Sequence, residues 1–260
     1  MTFAINPQAF TAGEKLLWKF GISSPEEIDL DAIAFDRGLT IRRRPLEGAD
    51  ARLVAFENRG VITVNSLQSP KRQRFSIGHE LSHWLYDRPS NGDGMLACSK
   101  DDVSPRNQAA KGKEADANRF SADLLLPPYL VIPRIQSRET NVNLATEIAG
   151  EFNVSLPAAA IRIVRHAKQP AAVVVHRQQG IAWKFKNSLW PDYVQLAMQV
   201  HHESPAMDLL FTGSVRAKTQ DGKEPAARWV YGDGMFGRQV MVQSIKRFDE
   251  QILSIVRLGI

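Results

Sequence analysis

Apolar residues recur first at helical spacing, then at every second position, then at helical spacing again, and this order predicts the N-terminal half of the chain. Phe10, Leu16, Leu17 and Phe20 fall on one stripe of a helix over residues 7–20. Ser24-Pro25-Glu26-Glu27 reads as a capping box, in which the serine and glutamate side chains each satisfy an orphan backbone N–H, and it starts a second helix through about Arg37. The period then drops to two. Thr40 to Leu46 reads as a strand, and Leu53–Phe56 and Val61–Val64 alternate around Glu57-Asn58-Arg59-Gly60, a hairpin turn. Helical spacing returns after Ser69-Pro70, a cap followed by a proline suited to the first helical position. There Phe75, Ile77, Leu81, Trp84 and Leu85 supply residues to bury.

Further along, a helix from Glu114 stops at Pro127-Pro128. Residues 142–167 have a helix-turn-helix-like spacing: a stripe of Leu144, Ala145, Ile148, Ala149 and Phe152, a turn at Asn153-Val154, then Ser155 capping a helix with Ile161 and Val164. Arg162, Arg165 and Lys168 could meet phosphate there; a helical pair packed on the N-terminal core is the favoured reading, because this spacing is a weak signal. From 169 the composition shifts. Ala172–Val175, Gln178-Gln179-Gly180 and Ile181–Phe185 read as a hairpin, Leu189–Val200 as a helix, and Asp208–Val215, Arg228–Tyr231, Val240–Phe248 and Ile252–Leu258 as strands. The expectation is an α+β chain with a core over 1–135, a helix-turn-helix-like segment over 136–168 and a second α+β domain with an antiparallel sheet over 169–260.

The chemistry is concentrated in His79-Glu80-Leu81-Ser82-His83. Two histidines four apart share a helix face and can hold the same zinc ion. On a wheel of about 100° per residue, His79, Glu80 and His83 span roughly 100°, with Ile77, Leu81, Trp84 and Leu85 on the other side. Glu80 lies beside the ion without easily becoming a third ligand, so it is free to act as a base. A buried helix with two hydrogen-bonded histidines would carry the same five residues.

A catalytic zinc needs a third protein ligand and an open position for water. Glu114 and Asp116 are the candidates. Asn118, Ser121 and Leu125 fall within about 40° of Glu114, which puts Glu114 at the edge of the apolar face, where a carboxylate is costly unless a cation neutralises it. Asp116 falls about 200° away, with Arg119 and Asp123 on an apparent solvent face. Glu114 is therefore chosen. Between the zinc helix and Glu114 runs a long polar stretch holding Cys98, the single cysteine. Its thiolate could fill the fourth zinc position and silence the site; a small filler or an idle thiol is the plainer reading. An oxyanion donor is also needed, and Tyr86, Tyr129 and Arg74 are candidates among which the residues do not choose.

Arg72-Gln73-Arg74-Phe75-Ser76-Ile77-Gly78-His79-Glu80-Leu81-Ser82-His83, followed by Glu114, Ala117-Asn118-Arg119-Phe120 and Leu124-Leu125-Leu126-Pro127, resembles the ImmA/IrrE family of bacterial zinc metallopeptidases. The match is clear over about 50–130 and looser over about 1–165. The resemblance implies a zincin-like metallopeptidase core, with His79, His83 and Glu114 as zinc ligands and Glu80 as the base. It implies cleavage of a helix-turn-helix repressor in response to stress, DNA damage or phage signals. It also implies that the C-terminal domain is a regulatory, GAF-like sensor.

A formal charge of +5 and a pI near 9.4 add a second class to consider. Arg42-Arg43-Arg44 and Lys71-Arg72-Gln73-Arg74 are the densest basic clusters, so DNA or single-stranded DNA could act as an effector, and an acidic partner fits equally. The rival to a peptidase is a DNA-binding transcriptional regulator with a non-catalytic zinc site. Three ligands and a retained Glu80 argue against it, because structural zinc sites close with four. His201-His202 is read as surface, since adjacent residues diverge on a helix. One cysteine, no leader-like start and no run of roughly 18 apolar residues predict a cytoplasmic protein outside the membrane.

Overall fold

The computed structural model describes residues 6–87, 108–211, 214–248 and 250–259, and it is a mixture of helix and sheet. The chain divides into two compact units, one of residues 1–130 with 151–155 and one of 131–150 with 156–260.

In the first unit, the stripe over 7–20 is interrupted. Pro7–Ala9 forms a 3-10 turn, and helix α1 (Ala12–Lys19) begins only at Thr11. Thr11 Oγ1 accepts from Glu14 N–H while the Glu14 carboxylate accepts from Thr11 N–H, a reciprocal cap that outcompetes a longer helix. Phe20, expected inward, lies past the end of α1 and is 38% exposed. The Ser24 box caps only the 3-10 turn Pro25–Glu27; helix α2 (Leu30–Asp36) starts at its own cap, Asp29, whose carboxylate accepts from Asp31 and Ala32.

Strands β1 (Leu39–Arg44), β2 (Ala51–Phe56) and β3 (Arg59–Asn65) form a sheet of order β1-β3-β2. The β2–β3 pair is an antiparallel hairpin turned at Glu57, which adopts φ of 43°. β1 runs parallel to β3. Helix α3 (Pro70–Tyr86), capped by Ser69 Oγ on Arg72 N–H, packs on β2 and β3, and α2 covers β1. Ile77, Leu81 and Trp84 are buried on that side of α3, and Trp84 Nε1 donates to the Arg37 carbonyl at 2.8 Å. Helix α4 (Gln108–Leu125) packs on α3 and on α1. The α1 contact corrects one expectation: Asp123 is not on a solvent face but 4% exposed, because Gly13 of α1 lets that helix reach the α4 backbone at Phe120–Leu124.

The second unit takes up the end of α5 (Pro128–Ile135), then α6 (Val142–Glu151), α7 (Leu156–Arg165) and a five-stranded antiparallel sheet. The strands are β4 (Ala171–Arg177), β5 (Gly180–Lys186), β7 (Gly222–Pro225), β9 (Gln239–Lys246) and β10 (Ile252–Leu258), in the order β5-β4-β10-β9-β7. A two-stranded ribbon pairs β6 (Gln195–Leu196) with β8 (Val230–Tyr231). One sheet face carries Ala172, Val174, Val240, Val242, Ile252 and Val256 against Trp190, Trp229, Met235 and helix α8 (Pro205–Phe211). The other receives α7, and the start of α6 is tied to the sheet by Asn143 N–H on Gln243 Oε1 at 3.1 Å and by Lys218 Nζ on Asn143 Oδ1 at 2.7 Å. Coverage on both faces explains why every residue of β10 is buried.

Three sequence readings change here. Residues 189–200 are not a helix: Pro191 interrupts the run, and Trp190, Val194, Leu196 and Val200 turn under the sheet instead. The stretch read as a strand from Asp208 lies partly in α8. Helix α7 packs on the C-terminal sheet, and its Arg162 is 5% exposed within that packing, so it is not on offer to phosphate. Arg165 lies over the Phe185 ring at 5.4 Å.

Arg257 on β10 is 1% exposed and donates to Glu139 and to Asp221. Asp221 also accepts from Asn141 at 2.8 Å. This network joins the sheet to the segment before α6. Arg257→Met should cost about 3 kcal/mol of stability in urea unfolding, because it strands a largely buried carboxylate; an unchanged midpoint would show the network to be dispensable.

Candidate metal centre

The site is built where α3 and α4 come unusually close. Gly78 makes this possible: a Cβ there would lie 2.6 Å from Ser121 Oγ and 3.3 Å from Ser121 Cβ. Ser121 Oγ in turn donates to the Phe75 carbonyl at 2.8 Å, bonding α4 to the backbone of α3. With the helices set at that distance, Glu114 reaches the two α3 histidines. His79 Nε2 and His83 Nε2 are 3.1 Å apart. Glu114 Oε2 is 3.2 Å from His79 Nε2, and its Oε1 is 3.3 Å from His83 Nε2. His79, His83 and Glu114 are the one group of metal-competent side chains found among the described residues.

The imidazoles are oriented from behind. His83 Nδ1 lies 2.7 Å from Asp87 Oδ2, and His79 Nδ1 lies 3.1 Å from Asn118 Oδ1. Both outer partners are oxygens, so each Nδ1 carries the proton and donates it. Each Nε2 then presents a lone pair toward the other and toward a carboxylate. Three electron-rich groups facing one another repel unless a cation lies among them. Their spacing is that of a tetrahedron edge, about 3.3 Å for ligand atoms ~2.0–2.1 Å from the centre. Burial holds the His79 pKa below the ordinary histidine value, the adjacent His83 lowers it further, and Glu114 only partly offsets this. A depressed pKa keeps the ring neutral, the form that binds metal.

Glu80 follows His79 on α3 and is 3% exposed. A carboxylate is rarely buried so deeply without a chemical reason. Asp116 does not join the site; its side chain is 75% exposed and lies 3.9 Å from Arg119. Cys98 lies outside the described residues. Of the three oxyanion candidates, Tyr129 is committed elsewhere: its hydroxyl donates to the Ile22 carbonyl at 2.7 Å, and burial pushes its pKa up to about 12. The Tyr86 ring packs edge-on against Phe120 at 5.6 Å. Arg74 Nη1 donates to the Ile28 carbonyl at 3.4 Å. His201 and His202 stack on each other at 4.4 Å, apart from any metal-competent group among the described residues.

Asp87 and the partnership of Asn118 with His79 were not read from the sequence. Asp87 carried a usable signal, since a carboxylate four residues after a ligand histidine on one helix falls within reach of its ring. The basic clusters are also less free than they read: Arg43 makes a bidentate pair with Asp31 at 2.8 and 2.7 Å, and Arg72 Nε donates to Asp50 at 3.0 Å.

Residues 34–164, just over half of the chain, match the family model described as the IrrE N-terminal-like domain, a peptidase M78 family. No curated protein matches the chain. Among solved structures, a Mycobacterium tuberculosis transcriptional regulator is similar in fold, with a TM-score of 0.58 at 14% identity, covering 95% of this chain and 86% of that one.

The helix approach generates a direct test. Gly78→Ala should push α4 away by a few tenths of an ångström and weaken metal binding by about tenfold, within the range of ~1–3 kcal/mol expected for overpacking. Adding Ser121→Ala removes the Oγ in the way and should restore part of the loss. Chelator competition on both variants measures this; equal affinity in Gly78→Ala and the parent would refute the constraint.

Proposed function

Because this chain belongs to the IrrE N-terminal-like peptidase family, we propose that it is a zinc-dependent endopeptidase whose centre is His79, His83 and Glu114, with Glu80 as the general base. The observation that carries this reading is the convergence of those three side chains, with backing partners on both histidines, inside the residues that match the family. The family's core is zincin-like, and three protein ligands with a fourth position left for water are what a catalytic zinc requires.

A zinc ion bound there would polarise a carbonyl and acidify a water. The residues do the rest. His79 and His83 supply neutral nitrogens, fixed in place by Asn118 and Asp87. Glu114 adds one negative charge, which moderates the cation without cancelling it. Glu80 accepts the proton of the attacking water and delivers it to the departing amine. Strand β2 lies at a sheet edge against α3, and an extended peptide could add to it by backbone hydrogen bonding.

We read the substrate as a helix-turn-helix repressor, cleaved in response to a stress, DNA-damage or phage signal, with DNA or single-stranded DNA as a candidate effector. The C-terminal sheet is read as the regulatory, GAF-like part. We read its place of action as the cytoplasm from its single cysteine, and no helix among the described residues is long and apolar enough to cross a membrane. Cys98 as an inhibitory fourth ligand remains a proposal with its own readout: Cys98→Ala should raise basal cleavage at unchanged metal content.

The test of the central reading separates metal from chemistry. The parent should bind one zinc per chain, and His79→Ala with His83→Ala should lose it. Glu80→Gln should keep zinc and fold yet cut a neighbouring-gene repressor at least about a hundredfold more slowly, the scale of a lost general base. Parental cleavage by Glu80→Gln would overturn Glu80 as the base, whereas a zinc-loaded parent that cuts no repressor would support the rival, a DNA-binding regulator with an idle metal site.

A further inference from the structure

Asp87 stands at the junction of three features. It is the C-cap residue of α3, its backbone N–H donating to the His83 carbonyl at 3.0 Å. Its Oδ2 takes the His83 Nδ1–H at 2.7 Å, and its side chain is only 16% exposed. Its Oδ1 faces the ammonium of Lys113 at 3.5 Å, on the residue immediately before Glu114. One carboxylate therefore backs a ligand on α3 and also meets the helix that delivers the ligand on α4.

His79 has a different backing. Asn118 offers a neutral amide oxygen at 3.1 Å, on an exposed residue. A hydrogen bond to a carboxylate is shorter and roughly twice as strong as one between neutral groups. It also raises electron density on the far nitrogen of the ring and so strengthens that nitrogen as a ligand. The two histidines are thus chemically unequal although the sequence motif is symmetric.

We propose that Asp87 is a positioning residue that makes His83 the anchoring ligand of the metal centre, with His79 the weaker of the pair and Lys113 a minor brace. The proposal rests on the reading of His79, His83 and Glu114 as metal ligands. Asp87 touches neither substrate nor metal; it acts through His83. Because α3 places Asp87 four residues after His83, the backing is intrinsic to the helix. The Lys113 contact is mostly exposed and adds little.

The test is the zinc affinity of the full-length protein, measured by chelator competition and independent of cleavage. Asp87→Ala should bind zinc about 10–100-fold more weakly, the usual cost of losing a partner behind a ligand histidine. Asp87→Asn keeps an acceptor oxygen without the charge and should fall between Ala and the parent. Asn118→Ala should lose less than Asp87→Ala, and Lys113→Ala less than about threefold. Cobalt substitution adds a spectroscopic readout: the visible d–d bands should shift in Asp87→Asn and stay put in Lys113→Ala. Melting curves of the metal-free proteins keep the ranking interpretable, and Asp87→Asn serves if Asp87→Ala does not fold. Parental zinc affinity in Asp87→Asn and Asp87→Ala, or a larger loss in Asn118→Ala, overturns the inference. His83→Ala is the control for the underlying reading: if it too binds zinc as the parent does, the ligand set is wrong, and not only the role of Asp87.

Discussion

Everything chemical in this protein depends on how closely two helices approach. His79 and His83 come from α3 and Glu114 from α4, so the candidate metal centre depends on the distance between these helices. Gly78 and Ser121 set that distance: a Cβ at position 78 would crowd the Ser121 side chain, and Ser121 bonds to the α3 backbone. The contact lies one residue before His79, so its error is hardly amplified at the ligands. A glycine inside a helix costs about 0.5–1 kcal/mol relative to alanine. Here that cost is offset by an approach to Ser121 that a larger residue would push apart.

The same economy governs the opposite faces of the two helices. The apolar side of α3, with Ile77, Leu81 and Trp84, fixes the helix to β2 and β3, and Trp84 reaches the carbonyl at the end of α2. The far side of α4 receives α1 through Gly13. Both ligand-bearing helices are thus held from behind by packing, which leaves their facing surfaces free for polar groups. Glu80 and His83 can be buried on α3 because the surrounding framework does not depend on them for its apolar contacts.

How much of this could be read from the sequence follows from the range of each interaction. The α3 helix, its Ser69 cap and the placement of Glu114, not Asp116, toward the two histidines depend on helical spacing within one element, and they were legible. The hairpin of β2 and β3 and the final pair β9 and β10 were legible for the same reason, since alternation is local. Asp123 was misplaced because its environment is supplied by α1, more than a hundred residues earlier. Residues 189–211 were misread because their apolar residues are set by the sheet they cover and not by a periodic pattern of their own. Asp87 went unread although it lies four residues from His83, because a carboxylate at a helix end looks like a cap and its second role appears only with the ring in place.

The small sheet of the peptidase unit carries a final asymmetry. Both β1 and β2 are edge strands, and an edge strand invites pairing unless something blunts it. β1 is blunted: α2 packs on it, its exposed end is Arg42-Arg43-Arg44, and Arg43 is clamped to Asp31 of α2. β2 has a single charge, Arg52, and ends at an exposed Phe56. It is also the edge against α3, the helix of both histidines. Three arginines blunt one edge of this sheet and a single arginine the other, which leaves β2 the edge more open to strand addition. The Arg42-Arg43-Arg44 cluster thus also blunts an edge strand in the folded chain, with Arg43 held by Asp31.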